Sequence, residues 1–316
     1  MSRHTIEPTK ETLHGHYSRD LLPILTIASG DTVLYRTLGA GWHTFDNPNP
    51  FERAPKFPDH NRERDPGHAL CGPIAIAGAR AGMTLEVRLN EIRTGNWGWS
   101  TGGGFPSEWN EWLGLADAPE WVLRWSLNPD TNIATNQFGQ TVRMRPFMGN
   151  LGMPPDEPGR HSTYPPRFCG GNIDCKELIA GSRIFLPITV DGGLFSIGDG
   201  HAVQGDGEVS GPALECPMER VAVEVHLHPE LKLTMPRAVT PIGWVTFGFH
   251  ENLNEAAMIA LDGMLNWMSE LLDIERKEAL ALSTLLVDLR ITQIVNGVRG
   301  VHAVLPYQAV EGIKRK

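Results

Sequence analysis

The chain is predicted to be α+β and mostly β, with β-sandwich-like sheets followed by a C-terminal helical hairpin and a β-hairpin. Three observations carry that expectation. The 316 residues include 34 glycines and 24 prolines, roughly 18% where about 12% is usual, which marks many turns and short strands without reaching low complexity. Apolar and polar residues alternate at the strand period of two in short runs through most of the chain. Helical spacing emerges only in the last fifth. With 41% hydrophobic residues the chain can bury a full core, and it reads as one unit, 1–316, with a β-rich body over 1–250 and the two hairpins over 251–310.

The first strand signal is Pro23 to Ile27, then the turn Ala28-Ser29-Gly30-Asp31 and the run Thr32 to Thr37, a β-hairpin or β-arch. The same grammar returns at Pro73 to Ala77, Gly78 to Gly82 and Met83 to Leu89. Between the two units, positions 47–67 hold five prolines and many charges with no periodicity, and read as a long surface loop. Six of the nine tryptophans, Trp97, Trp99, Trp109, Trp112, Trp121 and Trp125, then fall in one window around Gly102-Gly103-Gly104. Two readings are open there: a loop excursion pinned to the body by buried rings, or rings walling a small-molecule pocket.

Positions 147–171 are again rich in Pro and Gly. Ile184 to Val190 and Gly193 to Ile197 read as strands around an Asp191-Gly192 turn. On the next strand, Val221 to Leu227, residues Glu224, His226 and His228 share a face, as a ligand set or, the preferred reading, a solvated polar face. Asn252 with Glu255 resembles a capping pair, after which Ala257, Leu261, Met264, Leu265, Met268 and Leu272 repeat at helical spacing. A second helix starts near Glu275 and carries Ala279, Leu282, Leu286 and Leu289 on one face. Ile291 to Val295, the Asn296-Gly297 turn and Val301 to Leu305 give a β-hairpin.

Charge and composition narrow the function. A formal net charge of −9 lacks the basic footprint of a nucleic-acid binder. No apolar run reaches the ~18 residues needed to span a bilayer, and Met1 to Lys10 is polar, so neither a membrane nor export by a leader is expected. Cys71, Cys169, Cys175 and Cys216 form neither a disulfide framework nor a zinc knuckle, and a reducing cytoplasmic setting fits them. The phosphate-binding Gly-x-x-x-x-Gly-Lys-Ser/Thr loop, the Gly-x-Ser-x-Gly elbow and the His-Glu-x-x-His helix are all absent.

One stretch remains unusual. It opens with Gly170-Gly171-Asn172-Ile173-Asp174, closes with Gly198-Asp199-Gly200-His201-Ala202-Val203-Gln204-Gly205-Asp206-Gly207-Glu208, and has Glu215 just beyond. Tight glycine turns there gather an imidazole, carboxylates and a carboxamide, donors that suit a divalent metal or an acid–base site. Counted from Asp199, the stretch lacks the ligand pattern of an EF-hand. A turn-rich connection facing solvent is the alternative. His201, with Asp174 ahead of it, is a better ligand candidate than His4, His60 or His161.

These two runs, together with Gly67-His68-Ala69-Leu70-Cys71-Gly72-Pro73-Ile74, Thr246-Phe247-Gly248, Glu278 to Ser283 and Val287 to Gln293, resemble the acetamidase/formamidase family from about Leu13 to Pro306. The resemblance implies a β-rich, homo-oligomeric, metal-dependent enzyme that hydrolyses a short aliphatic amide to a carboxylate and ammonia. By that likeness Asp174 and His201 are metal ligands and His68 the third, with zinc as the expected ion. Glu208 is the expected general base, and Asp199 ligates or orients His201. Glu215 is held in reserve for either role, while Gln204 and Asn172 shape the loops. Two departures stand out. Gly82-Met83 replaces a Gly-Asp turn, and the Trp- and Gly-rich stretch is longer than usual for the family, which leaves room for a larger or flatter amide or, without turnover, a small-molecule-binding β protein.

Overall fold

The computed structural model describes residues 1–313. Among them two large sheets face one another, one of nine strands and one of twelve. A single apolar core joins them: Val33, Tyr35, Leu85, Val87 and Val223 from the first sheet meet Ile74, Met148, Leu151, Phe195 and Ile197 from the second. The mostly-β sandwich expected from turn density and period-two patterning is the architecture found.

Local strand signals agree with the structure, and where the turns left hairpin or arch open, the structure takes the arch. Leu25–Ile27 lies in the second sheet and Thr32–Thr37 in the first. Leu70–Ile76 and Thr84–Thr94 split in the same way, as do Arg183–Pro187 and Phe195–Val203. The connections through Gly30, Gly78 and Asp191-Gly192 are therefore arches between sheets. A tight turn satisfies either geometry locally, and the choice is made by distant partners: Leu25–Ile27 runs parallel to Leu70–Ile76, and Arg183–Pro187 pairs with Thr84–Thr94.

Glu224, His226 and His228 are a polar face tied up in pairs. Glu224 takes a hydrogen bond from Arg88 at 3.1 Å and another from His226, while His228 contacts the buried Glu86 at 2.7 Å.

Helix α1 is the short Glu108–Trp112. The helical hairpin is α2, Leu253–Leu272, and α3, Arg276–Leu286. Asn252 caps α2 by accepting from the backbone N–H groups of Asn254 and Glu255. Leu289 does not extend α3 as its spacing suggested. Val287 is already extended, and Asp288–Gln293 pairs antiparallel with Arg299–Pro306. The latter strand divides two cores by its alternation: Val301, Ala303 and Leu305 pack under the helices, and Val304 faces the sandwich.

Gly248 sets how closely α2 lies on the sheet. A Cβ there would overlap the Ala256 carbonyl oxygen and sit 2.6 Å from the Ala260 nitrogen, both backbone atoms of α2. Gly248→Ala should therefore lift the helix and cost about 3 kcal/mol, to be read by urea denaturation. An unchanged midpoint would mean that α2 is not seated as described.

Candidate active site

The long strand Phe195–Val203 runs through the middle of the second sheet and is buried along almost its whole length. It carries Asp199 and His201 on one face. His201 lies directly opposite Glu215 on Leu214–Cys216. On the other side the strand pairs with Phe147–Gly152, whose Gly149 faces the same space. Asp174 follows the strand Gly170–Asn172, and Glu208 lies in the turn after Val203.

Asp174, Asp199 and Glu208 all adopt left-handed backbone conformations, with φ of 52°, 58° and 46°. Non-glycine residues in this region cost about 1–3 kcal/mol each unless the surroundings impose it. Here that strain turns three carboxylates toward one imidazole.

The hydrogen bonds around His201 define what the centre lacks. The Gln204 carboxamide donates from Nε2 to the Asp174 carbonyl oxygen at 2.7 Å, so its Oε1 receives the His201 Nδ1 proton at 3.0 Å. This leaves Nε2 of a neutral ring with a lone pair, 3.4 Å from Asp199 Oδ1 and 3.2 Å from Glu215 Oε1. Three electron-rich atoms facing one another at that range require a proton or a cation among them. Further oxygens want the same: Asp174 Oδ1, Glu208 Oε2 and Glu215 Oε2 are buried without hydrogen-bond partners. Asp174 Oδ2, by contrast, is saturated by Asn172 at 2.8 Å and Asn296 at 2.9 Å.

Two overlapping groups could hold a metal ion: Asp174, Asp199 and His201, and His201, Glu208 and Glu215, with ligand atoms within 4.8 Å of one another in each. A Cβ on Gly149 would sit 2.7 Å from Asp174 Oδ1, 2.7 Å from His201 Cε1 and 2.9 Å from Asp199 Oδ2. Glycine thus leaves room for the first group to converge.

Protonation follows the same logic. Burial, opposed in part by His201, pushes the Asp174 carboxyl up to about 8. Burial and the Asp174 charge push Glu208 well above the carboxylate range. Burial works against the charge of Asp199, but His68 and His201 outweigh it and hold this carboxyl low. Burial also disfavours imidazolium at His201, yet Glu215 and Asp199 raise its pKa well above the ordinary value.

The folded cation-free chain therefore holds protons at Asp174, Glu208 and His201 that the unfolded chain releases more readily. A group whose pKa is raised on folding loses its contribution as pH rises, for Asp174 between about pH 4 and pH 8. Asp199 acts oppositely and only at the acid end. The melting temperature of cation-free protein should fall from pH 5 to pH 8 and recover on adding a divalent cation. A flat profile would show that these carboxyls are not buried together.

The structure gathers four of the five expected residues, Asp174, Asp199, His201 and Glu208, and places Glu215 among them. His68 lines the same cavity but stands outside both metal-capable groups. Its Nδ1 lies 3.0 Å from the Thr163 hydroxyl, which can donate to it, while the Asn150 amide at 3.5 Å gives its two protons to the Thr163 carbonyl oxygen and Asn172 Oδ1. This arrangement makes Nδ1 the acceptor and Nε2 the N–H donor. Gly149, Asn150 and Thr163 were not singled out from sequence, and Asn296 only as a turn residue. Its side chain reaches back to Asp174, which opens the hairpin loop wider than a two-residue turn.

The cavity above the centre has a volume of about 360 Å³. The tryptophan window divides among three roles. Trp97 and Trp125 are core, Trp99 and Trp109 wall the cavity with Phe105, and Trp112 and Trp121 are 87% and 63% exposed. The window is also less of a loop than expected, since Trp97–Gly102 and Trp121–Asn128 pair as antiparallel strands.

Comparison with known proteins bears on this arrangement. Residues 157–307 match the sequence model of the Acetamidase/Formamidase family, a span that contains all four clustered carboxylates and His201. An acetamidase of Mycolicibacterium smegmatis is 29% identical over 209 residues, which cover 46% of this chain and 50% of that protein. The chain thus spans about half the length of the curated relatives it matches. The solved acetamidase of Bacillus halodurans superposes with a TM-score of 0.83 at 24% identity, over 98% of this chain and 99% of that one. The acetamidase of Yersinia enterocolitica gives 0.80 at 25%, over 97% and 92%. Over residues 157–307 the chain matches the Acetamidase/Formamidase family model, and over nearly its whole length it shares the fold of the solved acetamidases.

Proposed function

We propose that the chain is an amidase that hydrolyses a linear amide of the formamide or acetamide type to a carboxylate and ammonia, using a divalent metal. The observation that carries this reading is the convergence of His201 Nε2 on two carboxylate oxygens, with further unpartnered carboxylate oxygens around it, a set that needs a proton or a cation at its centre. The relatives named acetamidase and formamidase support it.

The donor set fits a metal of the zinc class, one imidazole with carboxylates and no thiolate. Asp174, Asp199 and His201 are the ligands we propose, in place of the triad with His68, because Gly149 leaves open the space on which these three converge. When bound, zinc supplies a water acidic near neutral pH and Lewis-acid polarisation of the carbonyl. Glu208 accepts the proton of the attacking water and returns it to the departing nitrogen, its burial beside Asp174 favouring the protonated form once the proton is taken up. The new C–O bond forms first, and the C–N bond breaks as the nitrogen takes up the proton. His68 gives a hydrogen bond from its Nε2–H to the carbonyl oxygen as negative charge develops there.

Homo-oligomeric assembly and a reducing cytoplasmic compartment belong to the same proposal. All four cysteines are buried free thiols, which supports the second. Among the described residues, no helix is long and apolar enough to cross a membrane.

Ammonia release from formamide, acetamide and propionamide tests the reading. The zinc-replete chain should release ammonia, a chelator should abolish the release, and zinc should restore it. Turnover that persists after complete chelation would exclude the metal, and no turnover by metal-loaded protein on any amide would exclude the amidase.

A further inference from the structure

Beside the reaction cavity lies a second one of about 400 Å³, and the two share Ala40, Gly41, His68 and Tyr164 as common wall. The rings of His68 and Tyr164 stand 4.6 Å apart in that partition. Arg53, Lys56 and Arg62 converge on this second space from the long 47–67 loop, and no carboxylate lines it. The chain carries 37 acidic against 28 basic residues, so an all-basic concavity runs against its composition. Among the described residues, none of the three cations has a carboxylate within ion-pairing distance, although most other arginines do. Lys56 is tethered at the shared wall by donating to the Gly41 carbonyl oxygen. Burial, with Arg53 and Arg62 alongside, pulls Lys56 below its ordinary pKa, as expected for like charges gathered without a counter-ion.

Such a concavity concentrates anions and steers them inward. On the far side of the shared wall the reaction cavity is lined by Asp199, Glu208 and Glu215, the centre proposed to act on the neutral amide group. A molecule that satisfies both cavities is neutral and hydrolysable at one end and anionic at the other. We propose that the basic vestibule binds the carboxylate of the substrate, so that the preferred amide is the monoamide of a dicarboxylic acid. The proposal rests on the amidase reading above and deepens it. Water adds to the amide carbon, the C–N bond breaks, and the products are a dicarboxylate and ammonia.

The test compares monoamides of malonic, succinic, glutaric and adipic acid with neutral amides of matching length, on zinc-loaded protein. For the chain length that spans the two cavities, kcat/KM should exceed that of the neutral counterpart by about 10- to 100-fold at low salt, the range of one or two hydrogen bonds to charged groups. The advantage should shrink at high ionic strength. It should disappear when Arg53→Gln, Lys56→Gln and Arg62→Gln are combined. Neutral amides hydrolysed as well as every monoamide, or a preference that survives the triple substitution, would overturn the vestibule while leaving the amidase intact. If no amide is hydrolysed, calorimetry with succinate, glutarate and adipate decides separately. Salt-sensitive binding lost in the triple variant would uphold the anion site without the amidase, and no binding would overturn it.

Discussion

Gly149→Ala should abolish zinc retention and lower amide turnover by about 100-fold or more, while the protein remains folded. The added methyl would sit 2.7–2.9 Å from atoms of Asp174, His201 and Asp199, the three residues proposed to hold the ion. None can retreat freely. Asp174 is clamped by Asn172 and Asn296, His201 by Gln204 and the edge of Phe147. Displacements near 1 Å in a reacting centre cost about a hundredfold. Metal content and kcat should fall together. Gly205→Ala is the control, because its Cβ would meet nothing within 4 Å. A Gly149→Ala protein that keeps stoichiometric zinc and ordinary turnover would show that the first metal-capable group is not the one used.

Glu208→Gln is expected to keep its zinc and lose about 10²- to 10⁴-fold in kcat, the usual contribution of a positioned proton-transfer group. Glutamine preserves the size and hydrogen-bonding reach of the side chain but cannot take up and return a proton. The pH profile separates this role from a structural one, because the limb governed by Glu208 should vanish while the affinity for zinc changes little. A variant retaining more than a tenth of the turnover would move the proton transfer elsewhere, and Glu215, with one buried oxygen unpartnered, would be next to substitute.

The sequence shows the ingredients of this centre more clearly than its assembly. Asp199 and His201 are two apart, so a strand through them puts both on one face, while Glu208 follows Gly207 and Asp174 comes three residues after Gly171, glycines that announce tight turns. The α2 cap at Asn252 and the run Thr32–Thr37 were legible for the same reason, since both depend on neighbours in the chain. Phe147–Gly152 was not. Gly149 and Gly152 depress its strand propensity, and the cause lies in other segments: Asp174, Asp199 and His201 crowd Gly149, and the backbone of Gly171 crowds Gly152. Arch and hairpin could not be told apart because the partner that decides lies tens of residues away. His68 is a ligand by the resemblance of its motif alone, and the Thr163 hydroxyl against its Nδ1 lies 95 residues distant.

The strand that carries Asp199 and His201 is also among the most deeply enclosed of the second sheet, flanked by Phe147–Gly152, Leu214–Cys216 and Leu70–Ile76. Its amide hydrogens should exchange with solvent deuterium only when the whole sandwich opens, so the floor of the centre and the core of the fold report one and the same opening free energy. The segment 103–120 above the cavity has no strand partner, and its amides should exchange far sooner. In exchange experiments the tryptophan-bearing wall of the cavity should therefore open locally while the floor beneath stays closed.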